Sequence, residues 1–352
     1  MEKHENMAME MHENMAMEMH ANMVIEKHGS RVMKLDDNKA AHVSGGVKEE
    51  SHFIFLATGE RLHLKRFYSD TQGPPVLFLH GAIENGRIFY SNSGKGLAPY
   101  LAGEGFDCYV ADLRGRGESR PLISRGASYG QTEAITEEIP AMAEYVRSLR
   151  PGESQIWIAH SWGGVLMAST LARFPKYISW VSRMVFFGTK RTVRVQNATK
   201  WLYVNIIWNC LCPFLSRIWG YLPARRLGIG SDNETVNSLA HSVAWVKPSP
   251  WVDPGDGFAY GQAAKVLEFP PVWFFVGGDD PALGNPMDVR GFAAEIGGKG
   301  CRVTNLSRAE GYELDYDHIN MLTHPSAKRE IYPEVARWIG FGRRDGAIAS
   351  ER

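Results

Sequence analysis

The stretch that decides the fold is Gln155-Ile156-Trp157-Ile158-Ala159-His160-Ser161-Trp162-Gly163-Gly164-Val165-Leu166. It begins as a short apolar run typical of a buried strand, and after the serine it continues with the small, apolar pattern of a closely packed helix. A strand that turns directly into a helix at a serine predicts a nucleophile elbow, which exposes a reactive hydroxyl at the edge of a sheet. The usual pattern is Gly-x-Ser-x-Gly, and here Ala159 replaces the first glycine. The stretch alone therefore leaves a second interpretation open, in which Ser161 is a plain helix N-cap.

Composition and charge restrict the possible partners. The chain has 352 residues, of which 44% are hydrophobic, enough for a sizeable core. Lysine plus arginine and aspartate plus glutamate number 39 each, which argues against a nucleic acid partner or a strongly charged substrate. The cysteines lack the second Cys or His pair that a zinc site needs, so we expect no metal and no cofactor. These four thiols favour a reducing, cytoplasmic location: Cys108, Cys210, Cys212 and Cys301.

The first 50 residues form a low-complexity segment with an eight-residue repeat, seen in 4–11 and again in 12–19. Such a segment has too few branched and aromatic side chains to bury a core, so we expect a disordered extension. Copper binding through its methionines and histidines is the alternative. The segment lacks a basic region followed by an apolar core, which predicts that no secretory signal is present.

Strands and helices alternate from Ser51 onwards. A β-hairpin is expected around the Thr58-Gly59-Glu60 turn, followed by apolar strands that alternate with helical patterns. Those strands are predicted at 76–79, 106–111, 155–160, 181–187 and 270–276, and a last strand is predicted at 301–306. Apolar strands alternating with helices predict a mostly parallel sheet with helices on both faces.

Polar residues follow several of these strands. In a parallel sheet the ligand crevice lies beyond the carboxyl ends of the strands. His80-Gly81, Asp112 and Ser161 all fall at such ends. We therefore expect them to share one edge of the sheet.

The alternation of strands and helices stops between residues 189 and 267. We interpret this segment as a helical, aromatic-rich cap inserted into a core formed by 51–188 and 268–342. A frayed tail is expected at 343–352. The aromatic residues of the cap either line an apolar pocket for an acyl group or form the small core of an ordinary helical subdomain. The longest uncharged run, between Lys200 and Arg217, is too short to span a bilayer, so we expect peripheral lipid contact at most. The aromatic residues are Trp201, Tyr203, Trp208, Phe214, Trp219, Tyr221, Trp245 and Trp251.

Five motifs taken together resemble those of the α/β-hydrolase family. The resemblance extends from about His52 to Ile339, and the motifs stand in the order this family uses. It implies the α/β-hydrolase fold and a nucleophile, acid and histidine in that chain order. The motifs are His80-Gly81, Asp112-x-Arg114-Gly115-x-Gly117-x-Ser119, Ala159-x-Ser161-x-Gly163-Gly164, Gly277-x-x-Asp280-Pro281 and Asp317-His318.

A serine hydroxyl needs a base and an orienting carboxylate before it can attack a carbonyl carbon. We assign Ser161 as the nucleophile, His318 as the base and Asp280 as the carboxylate. Asp279 is the alternative for the carboxylate, and His324 is the alternative for the base. By the resemblance, the backbone amides of Ala82 and Trp162 form the oxyanion hole. His80 and His160 are interpreted as residues that brace the loops, and Asp112 and Arg114 as residues that hold the loop after their strand.

The identity of the nucleophile narrows the reaction. Haloalkane dehalogenases and epoxide hydrolases of this fold use aspartate at the elbow, and polyester synthases use cysteine. The serine predicts a carboxylic ester hydrolase, esterase- or lipase-like, acting through an acyl-enzyme on a small ester with an apolar acyl or aromatic portion. Two alternatives remain: an acyltransferase with the same triad, and a catalytically silent member that binds a lipid or another apolar ligand.

Overall fold

The structure is a computed structural model that describes residues 26–27, 30–33, 46–70, 73–298 and 300–340. The eight-residue repeat and the tail at 343–352 lie outside the described residues. Two short strands, Glu26–Lys27 and Ser30–Met33, fall within the segment interpreted as an extension.

The central sheet has ten strands in the order β1-β2-β3-β4-β6-β5-β7-β8-β9-β10. The first four pair antiparallel, as does β4 with β6, and the pairs from β6 through β5 to β10 are parallel. The strands are β1 (Glu26–Lys27), β2 (Ser30–Met33), β3 (Lys48–Phe55), β4 (Arg61–Tyr68), β5 (Pro75–Leu79), β6 (Asp107–Asp112), β7 (Gln155–His160), β8 (Val181–Phe187), β9 (Val272–Gly277) and β10 (Cys301–Leu306). The predicted hairpin and the mostly parallel sheet are therefore confirmed.

Helices cover the sheet on both faces, which also confirms the predicted architecture. Neighbouring residues of one strand enter different cores: Phe274 packs in the larger hydrophobic cluster and Phe275 in the second one. Because successive side chains of a strand point to opposite faces, the sheet is buried on both sides. The core helices are Leu97–Gly103, Gln131–Glu133, Ala134–Glu138, Ile139–Leu149, Trp162–Arg173, Pro286–Glu295, Asn320–Thr323 and Ala327–Ile339.

The segment 189–267 is helical. Its helices are Lys200–Leu211, Cys212–Trp219, Ala224–Leu227, Val236–Val246 and Tyr260–Lys265. It has a small hydrophobic cluster of its own around Cys212, Leu222 and Leu239. Trp245 and Trp251 belong to the larger core of the protein instead. Within the described ranges, no helix combines the length and the apolar character needed to cross a bilayer.

Candidate active site

Ser161 lies at a sharp turn between β7 and the helix Trp162–Arg173. Its backbone has φ 50° and ψ −120°, a conformation that costs a non-glycine residue roughly 1–3 kcal/mol. Its amide donates to the carbonyl of Phe187 at 2.7 Å, which fixes the turn against β8. Ala159 is fully buried in β7, and the strained elbow forms with alanine at that position.

Two glycines let the elbow helix approach the sheet. A Cβ atom on Gly163 would lie 2.5 Å from the carbonyl oxygen of His80, and one on Gly164 would lie 2.5 Å from Thr189 Oγ1. Real Cβ atoms do not make contacts this short. A side chain at either position would therefore push the helix away from the sheet. The Gly163-Gly164 pair therefore places the start of the helix, and Ser161 with it, directly against the ends of β5 and β8.

Ser161, His318 and Asp280 form one hydrogen-bonded chain. Ser161 Oγ lies 2.9 Å from His318 Nε2, and His318 Nδ1 lies 2.6 Å from Asp280 Oδ2. The three side chains come from the loops after β7, β9 and β10, which meet at the carboxyl edge of the sheet. Asp280 also accepts from the amide of Leu283 at 2.8 Å, so its carboxylate is held in place.

The partners of His318 determine its tautomer. An ionised carboxylate accepts hydrogen bonds only, so Nδ1 carries the proton and donates to Asp280. Nε2 then presents a lone pair to the hydroxyl of Ser161. Burial lowers the pKa of His318 below its ordinary value, although Asp280 opposes the shift, so the imidazole is neutral near pH 7. Burial raises the pKa of Asp280, but His318 outweighs burial and the net shift is downward.

The alternatives left open by the sequence differ in position. Asp279 is exposed, whereas Asp280 is buried against His318. His324 Nδ1 accepts from the amide of Ser326 and lies at the end of the short helix Asn320–Thr323. The Ser161 side chain makes no capping hydrogen bond to its helix. The structure therefore brings together the three residues first assigned and none of their alternatives.

Gly188 and Gly284 shape the space around the imidazole, and neither was assigned a role from the sequence. A Cβ atom on Gly188, which has φ 59°, would lie 2.7 Å from His318 Cε1. A Cβ atom on Gly284 would lie 2.6 Å from Asp280 Oδ2. Gly188 directly follows β8, whereas Gly284 lies in the loop between β9 and the helix Pro286–Glu295. Neither position shows in the sequence which side chain is near.

The amides of Ala82 and Trp162, predicted as oxyanion donors, have no hydrogen-bond acceptor within the described part of the chain. Both residues line one small cavity, which places the β5 loop beside the start of the elbow helix. Ile83 follows Ala82 with φ 52°, a strained conformation for a β-branched residue. Ala82 and Trp162 as oxyanion donors therefore remain a prediction.

Glu84 was also missed from the sequence. Its Oε2 accepts from the amide of Gly81 at 2.9 Å and lies 2.8 Å from His160 Nδ1. His160 Nε2 lies 2.9 Å from the carbonyl oxygen of His318. Glu84 therefore connects the loop after β5, the end of β7 and the backbone of His318.

His80, Asp112 and Arg114 hold loops, as predicted. His80 bridges the carbonyl of Gly81 and the amide of Leu113 at 2.8 and 3.2 Å. Asp112 accepts from the amides of Gly86 and Glu118. Arg114 is buried and pairs with Glu137 at 2.6 Å, yet it also lines the cavity beside Ala82.

That cavity measures about 20 Å³, room for about one water molecule. Its lining is mixed, with the apolar side chains of Leu113 and Leu166 facing arginine and glutamate side chains. From the segment 189–267 it receives three polar residues, Glu234, Thr235 and Ser238, and none of the eight aromatic residues considered as pocket residues. Polar side chains of this segment thus share a cavity with Ala82 and Trp162.

Comparison with known proteins supports the fold. A family model described as alpha/beta hydrolase fold matches residues 74–209. A search of curated proteins finds no match.

Among solved structures, a haloalkane dehalogenase loop variant from Bradyrhizobium elkanii is similar at 21% identity and a TM-score of 0.56, with 86% of this chain and 100% of that chain covered. An esterase from Exiguobacterium antarcticum is similar at 16% identity and a TM-score of 0.53, with 82% of this chain and 98% of that chain covered. An N-acyl homoserine lactonase complexed with N-hexanoyl homoserine is similar at 17% identity and a TM-score of 0.51, covering 83% and 97%. At these identities the similarity concerns the fold.

Three observations agree on the fold. The sheet is mostly parallel, with helices on both faces. Ser161 lies on a strained turn between a strand and a helix. The family model and the solved structures agree on one fold. The chain has the α/β-hydrolase fold.

Proposed function

We propose that this protein is a serine hydrolase that cleaves a carboxylic ester through an acyl-enzyme. The observation that carries the proposal is the hydrogen-bonded chain from Ser161 through His318 to Asp280, with distances of 2.9 and 2.6 Å. Ser161 attacks the ester carbonyl while His318 Nε2 takes its proton, and His318 returns that proton to the leaving alcohol. Water then repeats the sequence on the acyl-enzyme.

Asp280 and the two amides complete the proposed mechanism. Asp280 stabilises the imidazolium that forms during attack, because it faces Nδ1 from a buried position. The amides of Ala82 and Trp162 donate to the oxyanion of the tetrahedral intermediate. In serine hydrolases the loss of one such donor costs roughly 3 kcal/mol of barrier. No metal or cofactor takes part in these steps.

The substrate in this proposal is a small ester with an apolar acyl or aromatic portion, and the protein works in a reducing, cytoplasmic setting. An uncharged substrate is supported by the equal numbers of acidic and basic residues, 39 each. Four free cysteines, all within the described residues, are compatible with that setting. The similarity to a haloalkane dehalogenase does not carry that activity over, since a serine occupies the elbow.

Residues 189–267 act in this proposal as a cap that touches lipid peripherally. Between residues 189 and 231 the sequence has no aspartate or glutamate. Arg217, Arg225 and Arg226 are exposed there. The same segment exposes large apolar side chains, and exposed arginines together with exposed apolar side chains are typical of a site for an anionic lipid headgroup layer. These side chains are Trp201, Leu202, Tyr203, Ile206, Leu211, Phe214 and Ile218.

A panel of p-nitrophenyl esters with short and medium acyl chains tests the reaction. We expect release of p-nitrophenol by the wild type and its loss in Ser161→Ala. Ester formation with an added alcohol, in preference to hydrolysis, would identify the acyltransferase alternative. Binding of the esters without turnover would instead identify the catalytically silent alternative, and either result would overturn the hydrolase proposal.

A further inference from the structure

The cavity beside Ala82 and Trp162 is lined by more polar side chains than a site for an apolar acyl chain would need. Trp162, Arg114, Arg116 and Gln131 all line it, and each is at least nine-tenths buried. Each of these four side chains has one buried polar atom without a hydrogen-bond partner. Unpartnered buried polar atoms are rare, because each one costs about 1–3 kcal/mol. Four around one cavity therefore indicate that a ligand completes it.

The unpartnered atoms are three donors and one acceptor: the Nε atoms of Arg114 and Arg116, Trp162 Nε1 and Gln131 Oε1. Arg114 Nε lies 3.4 Å from a Glu138 oxygen, an ion-pair distance without a hydrogen bond. Gln131 Nε2 is already engaged, since it donates to the carbonyl of Ser238 at 3.0 Å. With Arg114 Nε facing Glu138, two donors and one acceptor remain for a ligand. The matching group accepts two hydrogen bonds and donates one, which describes a hydroxyl group.

Charge and size favour a hydroxyl over a carboxylate. Arg116 is already paired with Glu234, and Arg114 with Glu137, so a second anion would have no free cation to meet. Burial raises the pKa of Glu138 to about 7, and a carboxylate ligand would have to lie close to it. About 20 Å³ holds one oxygen atom with its hydrogen.

We propose that this cavity is a hydroxyl subsite and that the enzyme prefers esters whose acyl chain carries a hydroxyl group near the reacting carbonyl. The inference rests on the proposed ester hydrolase function. Trp162 connects the two sites, because its backbone amide is a proposed oxyanion donor and its side chain, with the unpartnered Nε1, lines the cavity. Gln131 accepts the hydroxyl hydrogen, and Arg116 Nε donates to the oxygen.

Matched esters test the preference without any mutation. Methyl 3-hydroxybutanoate and methyl 3-methylbutanoate differ by a hydroxyl in place of a methyl group. We expect kcat/KM to be about tenfold or more higher for the hydroxy ester, as expected when one buried hydrogen bond is made or lost. Equal values for the two esters would overturn the subsite.

Two further esters vary the group at the same position. Methyl 3-oxobutanoate, which only accepts hydrogen bonds, should have a kcat/KM between those of the first two esters. Methyl hydrogen butanedioate, which carries a carboxylate, should have the lowest kcat/KM. A faster reaction with the butanedioate would also overturn the subsite.

Two variants assign the preference to the cavity. Trp162→Phe removes the indole donor, and Gln131→Met removes the acceptor. Both variants should reduce the ratio of kcat/KM for the hydroxy ester to kcat/KM for the methyl-substituted ester by about tenfold. The oxo ester only accepts hydrogen bonds, so its higher kcat/KM relative to the methyl-substituted ester should be retained in Gln131→Met and lost in Trp162→Phe. Using a ratio cancels any change that a variant makes to the shared chemistry.

Trp251→Phe is the matched control. Trp251 is buried and also has an unpartnered Nε1, but it does not line this cavity. The Trp251→Phe variant should therefore retain the wild-type ratio of kcat/KM for the two esters. A cavity that held only a structural water would give variants with lower melting temperatures and unchanged ratios.

The failure of the subsite and the failure of the proposed function give different results. If the wild type hydrolyses both esters equally well, only the subsite is wrong. If the wild type hydrolyses no ester and no fluorophosphonate labels it, both proposals are wrong.

Discussion

Glu84 and His160 form a buried ion pair, with Glu84 Oε2 lying 2.8 Å from His160 Nδ1. The other ring nitrogen of His160 faces the carbonyl oxygen of His318, which only accepts, so both nitrogens carry protons. Burial alone lowers the pKa of His160, but Glu84 reverses the shift and raises it. Burial likewise raises the pKa of Glu84, and His160 brings it down to about 2. The pair therefore stays charged near pH 7 and connects the loop of Ala82 with the loop of His318.

Glu84→Gln should lower kcat by about ten- to a hundredfold, because small displacements of catalytic groups cost rates of this order. The variant keeps the shape of the side chain but removes the charge that holds His160. KM should change less than kcat, since Glu84 does not line the cavity beside Ala82. Steady-state kinetics with p-nitrophenyl butyrate measure both constants. The exposed Glu268→Gln is the control, and equal kcat values for the two variants would contradict the positioning role.

The pH dependence of kcat/KM should report His318. The base must be neutral to accept the serine proton. The value of kcat/KM should therefore rise with pH as the imidazolium of His318 loses its proton. Because burial lowers the pKa of His318, the midpoint of this rise should lie below the ordinary histidine value of about 6.5. Initial rates between pH 4 and 9, measured on a methyl ester by chromatography, give the midpoint. A midpoint above about 6.5 would contradict the assignment.

Asp280→Asn should move that midpoint to lower pH, because Asp280 favours the protonated imidazole and its charge is lost. It should also reduce kcat by about 10⁴-fold, as the loss of the triad carboxylate does in serine proteases. The neighbouring, exposed Asp279→Asn is the matched control and should retain wild-type activity. A midpoint that moves upward in Asp280→Asn, or equal losses in both variants, would show that Asp280 does not act on His318.

Gly188→Ala should remove most of the activity while retaining the fold. The added methyl group meets the His318 ring at 2.7 Å and displaces it from Ser161. Gly228→Ala is a matched control, because Gly228 has a similar φ of 70° and no atom within 4 Å of the added Cβ. The two variants should lose comparable stability, roughly 1–2 kcal/mol, in thermal unfolding. Comparable activity in both would show that Gly188 does not set the position of the imidazole.

Vesicle binding tests the lipid surface of the cap. The wild type should sediment with vesicles that contain phosphatidylserine, and binding should weaken with added salt, since anionic lipids attract the exposed arginines. Trp201→Ser combined with Phe214→Ser should reduce binding severalfold, because both side chains are more than half exposed. Val266→Ser, an exposed apolar residue outside this surface, is the control. Salt-insensitive self-association in place of vesicle binding would assign the surface to a second copy of the chain.

Local patterns predicted the parts of the fold that depend on neighbouring residues. The strands at 181–187 and 301–306 have the predicted bounds. In the first of them the continuous apolar run at 184–187 marks a buried strand. The elbow was predictable because a strand, a serine and two glycines stand side by side. The choice between Asp279 and Asp280 was not, since it depends on which carboxylate turns towards His318.

Contacts distant in sequence account for what the sequence did not reveal. Glu84 and His160 are 76 positions apart, and Arg116 and Glu234 are 118 apart. No spacing rule relates such pairs, so the ion pair and the polar cavity appear only in three dimensions. The aromatic residues of the cap left two interpretations open, an apolar pocket and the core of a helical subdomain. In the structure Trp201 is 60% exposed, whereas Trp245 and Trp251 are buried in the larger core.

Labelling by a fluorophosphonate probe tests the central claim most directly. The probe phosphonylates a serine only where a base activates its hydroxyl, so it reports the nucleophile independently of the unknown substrate. Intact-mass and peptide-mass measurements should show one probe per chain on Ser161, at a rate that falls about 10³-fold or more in His318→Ala. Ser161→Ala should remain unlabelled. A wild-type protein that stays unlabelled, or one that is labelled on another serine, would contradict the assignment of Ser161 as the activated nucleophile.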